Sequence, residues 1–308
     1  MAFLQVDYKS SKMNRKVHFN VFLPADTDPA GKDGAPWRTL YLLHGIFGNS
    51  SSWVTSSCIQ RYAEERNLCV VMPDGENGFY LDHPDYMNNY SSWIGEELVE
   101  ATRTMFPLSR RREDTWIGGF SMGGYGALRT GLKYADTFGG ILAFSSALLL
   151  ESIQNGEGGA GPAGDESYLR AMFGDLKHLL GTDLDPLHLA KARQAAGKPL
   201  PRIYLSCGEQ DFLLAANARF SAQLTEAGIP HTWRTAPGGH TWDFWEQEIR
   251  YTVLEWMSGK RESGKAGSRR RKRKGWISEE GLPEPGKRSS PGKPMQKKKA
   301  TTACAEWR

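Results

Sequence analysis

Gly118-Gly119-Phe120-Ser121-Met122-Gly123-Gly124 is the stretch whose reading decides the fold. It contains Gly119-x-Ser121-x-Gly123, the nucleophile-elbow pattern. Just upstream, Asp114-Thr-Trp-Ile117 is short, β-branched and aromatic, as a buried strand would be. Just downstream, Tyr125-Gly-Ala-Leu-Arg-Thr-Gly-Leu-Lys-Tyr134 has helical spacing, with Leu128 and Leu132 on one face. A strand that turns sharply into a helix strains the residue at the corner, and the flanking glycines leave room for the turn. The serine Oγ then projects beside a helix N-terminus, with its free N–H groups and partial positive charge. Glycine makes up 34 of the 308 residues, so the bare pattern carries little weight. Its strand–turn–helix setting is what gives it meaning.

Outward from this turn the chain alternates apolar runs and helical stretches. Phe3-Leu-Gln-Val6 and Val17-His-Phe-Asn-Val-Phe-Leu23 read as the first strands, and Pro24 to Pro36 as a loop. Arg38-Thr-Leu-Tyr-Leu-Leu43 and Leu68-Cys-Val-Val-Met72 are near-continuous apolar runs, as expected of strands covered on both faces. A helix is expected over 57–66, and another over 93–106 with Leu98, Ala101 and Met105 on one face. Gly140-Ile-Leu-Ala-Phe-Ser145, Arg202-Ile-Tyr-Leu-Ser-Cys207 and His231-Thr-Trp-Arg-Thr235 continue the strands; 212–227 and 241–257 are the last helices. This order predicts an α/β fold with a mostly parallel sheet and helices on both faces. Residues 149–200 break the rhythm. A flexible connector, Asn155-Gly-Glu-Gly-Gly-Ala-Gly-Pro-Ala-Gly164, and helical candidates at 166–173, 176–180 and 186–195 suggest a small cap over the sheet edge.

From Gly259 onward hydrophobic periodicity vanishes and 16 Lys and Arg stand against 5 Asp and Glu, a net of +11. The preceding residues then carry 23 basic and 30 acidic groups, a net of −7, so the overall +4 describes neither part. The expected organisation is a catalytic domain over 1–258 and a disordered basic tail over 259–308, which buries too little apolar surface to offset its ordering entropy. Arg269-Arg-Arg-Lys-Arg-Lys274 and Lys297-Lys-Lys299 could contact a polyanion. Only Trp276 and Trp307 accompany them, so base stacking, and with it nucleic-acid recognition, is not indicated. No apolar stretch is long enough to span a bilayer, and the N-terminal residues lack a secretory pattern. Cys58, Cys69, Cys207 and Cys304 show no metal spacing, so free thiols and a cytoplasmic location are expected.

Ser121 needs a base, an orienting acid and an oxyanion hole. Among seven histidines, His240 has the right setting: it ends the loop after the last strand, at the sheet edge where α/β proteins bind ligands. His44 is the competitor, read as structural beside the Gly45 turn. Asp211 follows the strand ending at Cys207, with Glu209 and then Asp243 as alternative carboxylates. The order Ser121, Asp211, His240 is that of α/β-hydrolases. The oxyanion donors are expected to be the N–H groups of Met122 and Ile46, with Phe47 in reserve. Trp53, Phe79, Tyr80, Tyr86 and Trp242 are candidates to line an acyl or alcohol pocket; Asn77, Asn88 and Asn89 would suit sugar hydroxyls.

Taken together, Leu42-Leu-His-Gly45 with Gly48-Asn49, Met72-Pro-Asp74 with Asn77-Gly-Phe-Tyr80, Gly119-Phe-Ser-Met-Gly-Gly-Tyr-Gly-Ala127, Gly208-x-x-Asp211 and Gly239-His240 resemble the esterase D-like branch of the α/β-hydrolases. That branch includes tributyrin and acetyl esterases, feruloyl and acetylxylan esterases, and S-formylglutathione hydrolases. The resemblance spans about residues 1–257. It implies a Ser121–His240–Asp211 triad hydrolysing carboxylic esters, with short acyl chains on small-molecule or carbohydrate alcohols. It also implies a homo-oligomer, and the chemistry requires no metal or organic cofactor. The turn Gly45-Ile-Phe-Gly-Asn-Ser50 departs from the Gly-Leu-Thr-Cys type of the S-formylglutathione hydrolases, which makes a thioesterase the second reading. A non-catalytic hydrolase scaffold carrying a polyanion-binding tail is the third.

Overall fold

Eight strands form one sheet in the computed structural model, which describes residues 1–26, 36–157 and 164–258. They are β1 (Ala2–Ser10), β2 (Arg15–Leu23), β3 (Arg38–Leu43), β4 (Leu68–Pro73), β5 (Thr115–Phe120), β6 (Gly140–Phe144), β7 (Arg202–Gly208) and β8 (Thr232–Ala236). Their order across the sheet is β1-β2-β4-β3-β5-β6-β7-β8. β1 and β2 pair antiparallel, as do β2 and β4, and every later pairing is parallel. The reversal of order around β3 and β5 is where a sheet of this kind opens a crevice at its carboxyl edge.

The inner strands are apolar in both registers because both faces are covered. Tyr41 and Leu43 of β3 join a core with Ile117, Ile141 and Leu205; Leu40 and Leu42 join another with Trp116, Leu142 and Tyr204. The first core is closed by α3 (Leu98–Met105), α4 (Met122–Lys133) and α7 (Leu214–Glu226), the second by α1 (Ser52–Ser56), α2 (Ile59–Glu65) and α8 (Trp242–Leu254). Cys69 and Cys207 are buried free thiols, and burial pushes Cys207 up to about 12. Cys58 is not free, contrary to expectation, and Cys304 lies outside the described residues with the rest of the tail.

The stretch 93–106 is not one regular helix. Trp93–Glu97 forms a π-helical turn before α3 begins. Gly95 sits there against the Tyr134 ring, where an added Cβ would come within 2.1 Å of it. A π turn carries one residue more than an α turn and so rotates the helix beyond it. The buried face of α3 is accordingly Leu98, Val99 and Thr102, while Met105 is exposed.

The cap segment holds a short helix at Leu150–Gln154, then α5 (Glu166–Phe173) and α6 (Pro186–Ala195). Both longer helices start on an aspartate cap. Asp165 accepts from the Ser167 and Tyr168 N–H groups; Asp185 accepts from Leu187 N–H, with Pro186 in the first turn. Residues 176–180 form turns instead of the expected helix, because the N–H groups of Leu179 and Leu180 are taken by the Gln154 side chain at 2.9 and 3.0 Å.

Candidate active site

Ser121 stands between β5 and α4 at φ 55°, ψ −121°, a strained conformation for a residue with a Cβ. The corner is held from three sides. Ser121 N–H donates to Phe144 O at 3.0 Å, and its carbonyl accepts from Tyr125 and Ala147 N–H at 3.1 and 2.9 Å. The two motif glycines are demanded by close approach. A Cβ on Gly119 would lie 2.5 Å from Gly123 O, and one on Gly123 would lie 2.5 Å from His44 O.

His240 reaches Ser121 from the loop after β8. Its Nε2 is 3.0 Å from Ser121 Oγ, and its Nδ1 is 2.9 Å from Asp211 Oδ2 and 3.2 Å from Oδ1. Asp211 lies just beyond β7, in a turn closed by its own N–H on Gly208 O at 3.1 Å. The Asp211 carboxylate also accepts Leu213 N–H at 2.9 Å. Burial pushes its pKa up, but hydrogen bonds from His240, Leu213 N–H and Ser145 outweigh burial and hold it below the usual carboxylate range. Ser145 is itself held by Trp245, whose indole N–H donates to its Oγ at 3.1 Å. Glu209 and Asp243, the alternative carboxylates, are both exposed.

His44 is buried away from Ser121. Its Nδ1 is 2.7 Å from Gly45 O, and its Nε2 accepts Gly75 N–H at 2.9 Å. Asp74 lies 3.5 Å from Nε2; burial raises its carboxyl, but its neighbours, among them the Ser50 backbone N–H, more than offset this and hold it below the usual carboxylate range. Both ring nitrogens are engaged, so His44 braces the turn. Phe47 N–H donates to Asn77 Oδ1 at 2.8 Å, which takes it out of the set of free donors. Ile46 and Met122 remain, both on the wall of the cavity that contains Ser121.

That cavity has a volume of about 1090 Å³. Phe79, Phe120, Leu149, Phe212, Trp242 and Trp245 supply apolar wall, and Ser51, Ser52, Thr55 and Ser56 a set of hydroxyl-bearing residues at the start of and along α1. Phe79 and Trp242 are thus where the sequence suggested. Trp53 and Tyr80 are not. Trp53 is buried behind the wall, its indole N–H on Leu43 O at 2.9 Å and its ring edge-on to Trp242 and Phe120. Tyr80 is equally buried, its hydroxyl on His44 O at 2.9 Å. Tyr86 is exposed beside a separate cavity of about 510 Å³. Asn77 supports backbone, and Asn88 and Asn89 belong to a small ribbon with Asp82–His83, so none of the three asparagines lines the Ser121 cavity. Phe212 and Trp245, which the sequence reading missed, flank the imidazole with ring centroids 4.7 and 4.9 Å away. Their signals were adjacency: Phe212 directly follows Asp211, and Trp245 is about one helical turn beyond Thr241.

A serine on a strained elbow, joined through a histidine to a buried aspartate at the carboxyl edge of a mostly parallel sheet, defines a serine hydrolase with the α/β-hydrolase fold. A family model described as "putative esterase" matches residues 10–255. The acetyl esterase of Caldicellulosiruptor saccharolyticus is 40% identical over 271 residues, covering 84% of this chain and 98% of that protein. Two solved structures from Staphylococcus aureus are each 30% identical. Fluorophosphonate-binding serine hydrolase F superposes with a TM-score of 0.74 over 84% of this chain and 99% of its own. The S-formylglutathione hydrolase FrmB gives 0.73 over 83% and 98%. The chain belongs to this esterase family and is a carboxylester hydrolase. Among the described residues no helix is long and apolar enough to cross a membrane.

Proposed function

We propose that this esterase removes short acyl groups, acetyl and butyryl, from small-molecule or carbohydrate alcohols, with Ser121 as nucleophile, His240 as general base and Asp211 as orienting acid. The observation that carries this is His240 bridging Asp211 Oδ2 at 2.9 Å and Ser121 Oγ at 3.0 Å on the cavity wall. Nε2 takes the Oγ proton as the oxygen attacks the ester carbonyl. The carboxylate holds the Nδ1–H tautomer and stabilises the imidazolium. The N–H groups of Ile46 and Met122 receive the oxyanion. His240 then protonates the departing alcohol, and a water activated by the same imidazole frees the acyl group.

The acetyl esterase relative supports the short acyl group. The hydroxyl-bearing row Ser51, Ser52, Thr55 and Ser56 supports a polar alcohol, in place of the asparagines the sequence suggested. The similarity to the S-formylglutathione hydrolase favours a second reading, hydrolysis of a small acyl thioester by the same residues. Initial rates on 4-nitrophenyl acetate, butyrate and decanoate, beside S-formylglutathione, separate these. The proposal expects acetate and butyrate to exceed decanoate in kcat/KM by about tenfold or more. Decanoate equal to acetate would refute the short-chain reading, and S-formylglutathione well above all three would select the thioesterase.

A further inference from the structure

Three hydrogen bonds run from one loop, residues 74–81, onto the turn that carries Ile46. Gly75 N–H donates to His44 Nε2 at 2.9 Å, Tyr80 Oη–H donates to His44 O at 2.9 Å, and Asn77 Oδ1 accepts Phe47 N–H at 2.8 Å. They brace the turn on both sides of Ile46. Phe47 needs that support, because its φ of 65° lies in the left-handed region, which a bulky side chain disfavours. The loop is strained as well: Glu76, Phe79 and Tyr80 have φ of 46°, 50° and 57°. Such conformations persist only where surrounding contacts over-determine them.

One of those contacts comes from the cap. Tyr168, on α5, donates its hydroxyl to the backbone carbonyl of Asn77 at 2.5 Å. The Phe79 ring, two residues on, packs against Phe173 of the same helix with centroids 5.0 Å apart. Asn77 therefore stands between cap and turn, its carbonyl held by Tyr168 and its side chain holding Phe47.

We propose that Asn77 is a positioning residue for the oxyanion turn, and that Tyr168 transmits the seating of the cap helix to it. The inference rests on the reading of Ile46 as an oxyanion donor. Without the Asn77 acceptor, Phe47 is free to relax toward negative φ; the peptide before it, made of the Ile46 carbonyl and the Phe47 N–H, then rotates, and Ile46, whose own N–H sits on the next peptide back, shifts with it. Asn77 is exposed, so water can satisfy the released Phe47 N–H; the loss falls on geometry rather than on an orphaned donor. Transition-state stabilisation suffers more than ground-state binding, because the oxyanion exists only after attack.

Steady-state kinetics on 4-nitrophenyl acetate test this. Asn77→Ala is expected to lower kcat about tenfold with KM within about twofold, a smaller loss than outright removal of an oxyanion donor. Asn77→Asp retains an acceptor and is expected to recover kcat to within about threefold of wild type. Tyr168→Phe is expected to lower kcat about threefold, and in the Asn77→Ala background to add nothing further, as two links in one chain would. The proposal is overturned if Asn77→Ala keeps wild-type kcat, if Asn77→Asp is no better than Asn77→Ala, or if the two penalties multiply. Tyr168→Phe and Asn77→Asp carry the test should Asn77→Ala not fold. Ser121→Ala in the same assay keeps the readings apart: if it stays active the triad assignment fails, whereas inactivity with an unaffected Asn77→Ala refutes the positioning role alone.

Discussion

Ser121→Ala is expected to lower kcat on 4-nitrophenyl acetate by about 10⁴-fold or more, leaving only what the cavity and oxyanion donors contribute by themselves. The strained backbone at φ 55° is a property of the corner, not of the hydroxyl. Alanine has the same Cβ as serine and occupies the position at the same backbone cost. The fold should therefore survive, with a thermal midpoint close to wild type. The hydroxyl is also the only Ser121 atom placed against His240, at 3.0 Å from Nε2. An intact fold without acyl-enzyme in quenched mass spectra is the expected pair of results. A variant retaining more than about one-hundredth of the wild-type rate would mean that another group attacks the ester.

Asp211→Asn is expected to cost about 10⁴-fold in kcat while altering the shape of the site very little. The amide would donate a hydrogen to His240 Nδ1 where the carboxylate now accepts one at 2.9 Å. That places the imidazole proton on Nε2, the atom that must be bare to receive the Ser121 proton. The same substitution carries a pH signature. The Asp211 pKa is lowered in the folded state, so the ionised carboxylate is favoured by folding. Its contribution to stability is fully present above the ordinary carboxylate pKa of an unfolded chain and is lost as the pH falls through the lower folded value. An asparagine resembles the protonated acid. The melting temperature of Asp211→Asn should therefore lie below wild type at neutral pH, and the gap should close under strongly acid conditions. A gap that widens on acidification would show that hydrogen bonding does not outweigh burial at this carboxylate.

Much of this site can be read in the sequence because its parts are local. The elbow is a seven-residue pattern in which Gly119 and Gly123 are required by approaches of 2.5 Å; Asp211 follows an apolar strand, and His240 follows a short strand in a Pro-Gly-Gly loop. The inner strands were legible for the same reason: burial on both faces leaves few polar residues between their ends. The aromatic residues were not. Trp53 and Trp242 touch edge to face, yet only Trp242 lines the cavity, and no local pattern distinguishes the two. Tyr80 points to a backbone carbonyl of the neighbouring turn, a contact set by tertiary approach. The rotated face of α3 follows from one π turn, a single-residue effect that a period of 3.6 does not register. The lost helix at 176–180 depends on Gln154, more than twenty residues upstream.

Among the described residues β8 is an edge strand, hydrogen-bonded to β7 alone, and none of its residues is fully buried. The loop it ends in carries His240, 119 residues beyond the Ser121 that it contacts. During synthesis the serine corner thus emerges more than a hundred residues before the base proposed for it. In the finished molecule, fraying of this outer strand alone would displace the base proposed here, with the inner strands of the sheet untouched. On that reading, activity is expected to be lost on heating before the sheet melts.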